Sequence, residues 1–490
     1  MKRLCTALAV AGILPGCNLA PAYDPPHYVL PDSYQGNGAF RVAQPQDALS
    51  PRGDWWTLFG DEELNRLEEQ LNRENPNLEA AAEVYTQARD LAAEAQSRLY
   101  PQIGAQALVS DNRESAHHLF STFTEPRQEG SNVIGGTASW EPDFWGAIRN
   151  GAHAQKRLAQ ASAADLATAR LSLEAELAND YIAVRGDDAE IEVLRQSIVA
   201  YQKAVEVARL RMQGKIASGL DLARALSQLD SAQAQQTETQ LQRDLLQHAI
   251  AVLVDAMPSS FSIAPVKEFT LMPPQMPAGV PSELLQRRPD IASAERQMAA
   301  ANAEIGVSRA AFYPNITLSG LAGFEDNAFN LASVPNSLWS VGAGAMLPVF
   351  EGGLRRAELQ RSWSQYAQTR DGYRSTVLAS FQEVEDGLSL TQRLATEVAQ
   401  QREASDQATQ ALSISTMLYE DGLDNYLSVA VAQVTALAAQ TAEVQLESRQ
   451  MQASVSLIRA LGGGWTVQAL PTEKQTLPFG PLDYGVADKK

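Results

Sequence analysis

Along most of this chain apolar residues recur at helical spacing, but in four short stretches they recur at every second position. The first change of period falls at Tyr100-Pro101 and is repeated at Tyr313-Pro314. Proline lacks an N–H and restricts the residue before it, so each pair marks a helix end. Helix signals run from Asp61 to about Leu99, rich in Ala, Glu, Gln and Leu, and predict helix over that span. Beyond Pro101, Ile103, Ala105, Ala107 and Val109 alternate with mostly Gln, Gly and Ser, Leu108 breaking the rule. That period predicts a half-buried strand. A turn-rich segment from Asp111 to Asn132 leads to a second alternating run, with Ile134, Gly136, Ala138 and Trp140 on one face. Val133, Gly135, Thr137, Ser139 and Glu141 lie on the other.

The pattern then repeats. Pro76–Ile103 aligns without a gap on Pro289–Ile316, a spacing of 213, and after Trp140 the copies align at 207. The second hairpin has Ile316, Leu318, Ala322 and Phe324 on one face of its first strand, and Trp339, Val341, Ala343, Ala345 and Leu347 on one face of its second. The change in spacing falls in the hairpin loops, where insertions are tolerated, and so places those loops on the outside of the assembly.

From Ala147 to Met212 and from Leu354 to Tyr419 no proline interrupts an Ala-, Leu-, Gln- and Glu-rich sequence. Each run predicts a helix on the order of 100 Å long at about 1.5 Å per residue, which must pack side by side with others. Turns at Gly214–Gly219 and Asp421–Tyr426 lead into return helices Leu220–Val254 and Leu427–Leu461. The domains read as a leader 1–16, a tether 17–53, a first repeat 54–257 with its hairpin at 102–141, a Pro-rich connector 258–281, a second repeat 282–461 with its hairpin at 315–349, and a tail 462–490 expected to end in a mobile segment.

Charge and cysteine usage narrow the function. A net charge of −19 with no basic run argues against a nucleic-acid partner. Lys2 and Arg3 precede an apolar run from Leu4 to Leu14 that is too short to span a bilayer and reads as a secretory signal ending at Cys17. Cys5 leaves with that signal, so no internal disulfide is available and packing alone holds the fold. His27, His117, His118, His153 and His248 match no metal spacing, and no nucleophile elbow or phosphate loop is present. The chain reads as a non-enzyme without cofactor or metal.

Four strands cannot close a barrel, and an open sheet in lipid leaves unpaired edges costing several kcal/mol per group. Several chains must therefore share one barrel, and strand number alone does not say whether there are two or three.

The stretch from Cys17 to Tyr23, the run Asp54-Trp55-Trp56-Thr57-Leu58-Phe59-Gly60-Asp61 with Leu64 and Leu67, and Gly462-Gly463-Gly464-Trp465 together resemble the TolC-like outer-membrane efflux lipoproteins. The resemblance implies a mainly α fold with a transmembrane β-barrel: a homotrimer whose twelve strands form one barrel and whose long antiparallel helices form a tunnel across the periplasm. It implies a lipidated N-terminus at Cys17, carrying S-diacylglycerol and N-acyl chains, and residence in outer-membrane lipid. It also implies a periplasmic adaptor and an inner-membrane transporter of the proton-driven RND type as partners. The segment Gly422–Leu427 corresponds to the family's periplasmic opening, which makes Asp424 the first gate candidate; Glu420 and Asp421 cluster with it at one tip, and Asp221 sits at the other. Pro101 and Pro314 mark the passage from tunnel to barrel. The family's usual Arg before the Tyr is Leu418 here, and Lys215 holds the place matching Gly422. A duct for type I protein secretion shares this architecture, and a non-conducting coiled-coil lipoprotein is the alternative of a different class.

Overall fold

The computed structural model describes residues 17–26, 53–113, 115, 128–269, 271–274, 284–327, 330–331 and 333–483, with backbone only at 128–129. The leader, most of the tether, residues 270 and 275–281 of the connector, residues 282–283, His27, His117, His118 and the last seven residues lie outside the described residues.

A 3₁₀ turn (Trp55–Phe59) precedes α1 (Glu62–Glu74) and α2 (Pro76–Ser97). The hairpin β1 (Gln102–Arg113) and β2 (Gln128–Trp140) follows, then α3 (Ala147–Gln213) and α4 (Gly219–Leu253). The second repeat supplies a short α5 (Leu284–Arg287), α6 (Pro289–Ala310), β3 (Asn315–Asp326), β4 (Ser337–Met346), α7 (Leu354–Glu420) and α8 (Tyr426–Ala460). The helix expected to run through 61–99 is two helices. Pro76 sits at the start of α2, and Asn75, held extended before it, accepts the Leu78 N–H at 2.9 Å as the N-cap.

The same Asn75 donates to the C=O of Leu253 at 2.7 Å, at the end of α4. Its repeat mate Arg288 donates to the C=O of Ala460 at 2.9 Å, at the end of α8. Each short helix thus stacks end to end on the return helix of its own repeat, and the orphan carbonyls of that helix gain donors. Near the sheet the helices lie in the order α2, α3, α6, α7, and toward the tips in the order α4, α3, α8, α7.

The strands follow the same order, β1-β2-β3-β4, antiparallel throughout. Register brings the expected apolar faces onto one side: Ala107 lies opposite Ile134, Ile134 opposite Phe324, and Ala322 opposite Trp339. Both faces of β1 and β4 are largely exposed, and each of these strands has one unpaired edge. The helical layer is likewise open at both sides: of two helices of 67 residues, central α3 buries 24 and marginal α7 only 10.

The main core sits midway along α3. Trp55, Trp56, Phe59, Leu64, Leu67 and Leu71 pack on Leu177, Tyr181 and Ile182 and on the end of α4. Within it, Trp55 donates to Glu174 at 3.1 Å, and the Tyr181 hydroxyl donates to Asp61 at 2.8 Å. The tail is docked on α3 at residues 471–473, and the end of it expected to be mobile falls largely outside the described residues. Glu473 bridges His153 at 3.1 Å and Arg157 at 2.9 Å, and Gln160 donates to the C=O of Pro471 at 2.8 Å.

Candidate functional site

Two places concentrate chemistry: the tips of the helical hairpins and the junction between helices and sheet. At the second tip Gly422 takes a left-handed φ of 76°, and its repeat mate Lys215 takes 59° despite its side chain. Both turns therefore share one backbone shape, and only one has the residue that adopts it without strain.

Arg211, near the end of α3, lays its guanidinium over the Tyr419 ring at 4.5 Å from the centroid and donates to the Tyr419 carbonyl. Tyr419 meets Tyr426 edge to face at 5.4 Å. The Tyr426 hydroxyl donates to Gln433 Oε1 at 3.4 Å, and Tyr201 donates to the C=O of Gln433 at 3.0 Å. Burial pushes the Tyr426 phenol up to about 12, and Tyr419 and Asp221 add to the effect. Burial also raises Tyr419, with Arg211 opposing and Asp221 reinforcing.

Of the four expected acids, Asp221 lies close enough to influence both tyrosines. Glu420 is exposed and lines a cavity of about 280 Å³ with Lys203, Gln196 and Tyr426. Asp421 is exposed at the end of α7. Asp424 is half-buried, and its carboxylate accepts the neighbouring Asn425 N–H at 2.7 Å. Among the described residues none of these acids belongs to a group of three or more acids, histidines or cysteines placed to hold a metal ion. Arg211 was missed in the sequence, although a signal existed: it is the repeat mate of Leu418, at the spacing of 207.

At the other end Pro101 and Pro314 each lie between a helix end and a strand start. Trp145 donates to the C=O of Pro314 at 2.8 Å and stacks on Tyr313 with centroids 4.7 Å apart. Trp140 donates to the C=O of Leu99 at 3.1 Å. Among the strand aromatics, Trp140 lies at this end of the sheet and Phe324 and Trp339 at the far end, and aromatic side chains at the two ends of a membrane barrel suit its interfaces.

Residues 17–26 run against α6. Tyr23 donates to Glu295 at 2.6 Å, Asn302 donates to the C=O of Pro21 at 2.9 Å, and Arg309 donates to that of Leu19 at 3.1 Å. A Cβ on Gly306 would come within 2.8 Å of Ala20, so glycine there admits the strap. The strap places exposed Cys17 beside Arg149 and Gly146, at the helix–sheet junction.

The family model of the outer membrane efflux protein matches residues 67–254 and 280–463, one segment in each repeat. The chain belongs to this family. The pyoverdine export outer membrane protein OpmQ of Pseudomonas aeruginosa is 31% identical over 95% of this chain and 97% of its own length. OprJ of the same organism is 29% identical over 94% and 95%. Among solved structures, a membrane protein from Pseudomonas aeruginosa superposes with a TM-score of 0.85 at 28% identity, covering 92% of this chain and 98% of that one. The outer-membrane channel OprN superposes at 0.79 with 26% identity, over 90% and 99%.

This efflux protein is thus an outer-membrane channel, the exit duct of a tripartite pump, and its family and fold are those of channels rather than enzymes. Three chains of four strands each share a twelve-stranded barrel, and their long helices form the tunnel that reaches into the periplasm. The shared barrel gives the open edges of β1 and β4 their partners.

Proposed function

We propose that this channel passively exports small organic molecules delivered by a periplasmic adaptor and an inner-membrane transporter of the RND type. The observation that carries the reading is the continuity of order: each strand extends a helix of the same rank, so one closed ring serves as both barrel and tunnel. Support for small-molecule cargo comes from relatives named for pyoverdine export and for toluene efflux, which align over at least 95% of this chain. A deletion strain should become sensitive to drugs or solvents and recover with the intact gene. Unchanged susceptibility together with loss of a secreted protein would move the reading to type I secretion.

The hairpin tips serve as the periplasmic gate. Asp424 of three chains would form a ring of carboxylates that repel one another and attract cations, with Asp421, Glu420 and Asp221 adding negative charge nearby. Arg211 ties the first hairpin to the second through Tyr419, so opening must either break that contact or move the two tips together.

Cys17 carries the S-diacylglycerol and N-acyl anchor. At about 0.8 kcal/mol per buried CH₂ several acyl chains hold stably where one is marginal, and the strap sets them at the height of the helix–barrel junction. The barrel itself spans the membrane, so a Cys17→Ala variant with a cleavable signal should still insert. Complete loss of membrane association, measured by flotation, would refute the auxiliary role.

A further inference from the structure

Because the two repeats align, a ring of copies would bring the fourth helix–sheet junction of one chain against the first junction of the next. Taken in strand order, the helix–sheet junctions are α2 to β1, β2 to α3, α6 to β3 and β4 to α7, after which the next copy begins again with α2 to β1. Inside the chain the second junction grips the third: Trp145 stacks on Tyr313, and below them Ala154, Ala300 and Ala303 of α3 and α6 form a small apolar cluster. The fourth junction and the first junction of the next copy are their repeat mates.

We propose that at the seam between chains Phe350 of one chain packs on Tyr100 of the next and Arg361 pairs with Asp90 of the next. This rests on the barrel being shared between chains. Trp145 corresponds to Gly352, which offers no ring, and Tyr313 corresponds to Tyr100. Two residues before Gly352, Phe350 is 90% exposed and Val349 93% exposed, and neither Phe350 nor Tyr100 has a ring partner among the described residues. The place of the tryptophan is empty, and an aromatic side chain stands beside it uncovered.

The helices below show a matching change. Ala154 corresponds to Arg361, Ala300 to Gln87 and Ala303 to Asp90, and all three replacements are exposed. Neither Arg361 nor Asp90 is in an ion pair among the described residues. Opposite charges thus stand where the internal contact has two alanines. Glu358 and Glu94 also come opposite each other, in place of Gly151 and Val307, and Arg98 one helical turn from Glu94 supplies the compensating charge. A second copy accounts for this complementarity, whereas a lipid surface offers no counterpart to both Arg361 and Asp90.

The test uses the full-length protein in native membranes. Phe350→Cys and Tyr100→Cys together should form covalent dimers and trimers on mild oxidation, and neither single variant should. Trimers on native gels that fail to cross-link, or a disulfide closed within one chain, would overturn the contact. So would quenching of a bimane label at Phe350→Cys by nitroxide lipids, which would show that the ring faces the bilayer. Arg361→Asp and Asp90→Arg should each lower the temperature at which the trimer dissociates, and the double variant should recover most of the loss. Additive losses would contradict the pair. A wild-type chain that runs as a monomer on the same gels would instead defeat the shared barrel itself.

Discussion

Among single residues, Glu174 carries the clearest prediction. Burial lifts its carboxyl to about 7 from an ordinary 4.5, against the hydrogen bonds of Asn72 and Trp55 and the charge of Arg170. A folded value above the unfolded one means the native state holds the proton more tightly. The contribution is full below about pH 4.5 and is lost as pH rises through about 7. On the order of 3 kcal/mol is at stake over that window. The thermal midpoint should therefore fall more between pH 5 and pH 8 in the wild type than in Glu174→Gln, as followed by circular dichroism. Equal falls would show that Glu174 is not the group responsible. Its neighbour Glu68 is fully buried with both carboxylate oxygens unpartnered, and burial raises it well above the carboxylate range. Glu68→Met should stabilise the chain by roughly 1–3 kcal/mol, since an unpaired polar group leaves the core. None of this was legible in the sequence, because the burial of both residues depends on which helix packs over them.

At the scale of elements, the period of the apolar pattern was the reliable guide. The apolar faces assigned to four separate strands coincide on one side of one sheet, because register in a sheet preserves the alternation. The bounds of α3, α4, α7 and α8 agree with the expected turns to within a residue or two. The break between α1 and α2 was masked by strong helix formers on both sides, although Asn75-Pro76 is a cap followed by a proline at the first helical position. The docked tail was also missed, since its partners His153 and Arg157 lie more than 300 residues earlier in the chain. Asn75→Ala should remove both the cap of α2 and the donor to Leu253, at a cost of about 2 kcal/mol. Hydrogen exchange should quicken at residues 78–80 and leave the tips unchanged. Unaltered exchange there would mean that the stacked ends do not depend on this side chain. Among the described residues, α8 alone passes by length and composition for a membrane helix, with a mean hydropathy of 1.2. In the fold it packs against α3 and α7 as one arm of a hairpin, and the membrane is crossed by the sheet.

For the whole molecule, the repeat makes sheet and helices share one order, and the shared order leaves both layers open at the same two sides. Chains can satisfy these edges only by joining into a ring, which is how one sequence specifies both a barrel and a tunnel. The repeat, the hairpins and the need for several chains were all legible from period and spacing. The choice of three was not, because no feature of one chain fixes the curvature at which a ring closes; that number came with the family. The gate acids show a similar limit. Their position at the tips follows from turn sequence, but the proposed ring of Asp424 would form only between copies. The most direct test is single-channel current from the purified trimer in planar bilayers. Cation-selective openings should appear, and Asp424→Asn should raise the open probability and weaken the selectivity. A well-folded trimer that carries no current, either as wild type or as Asp424→Asn, would contradict the account.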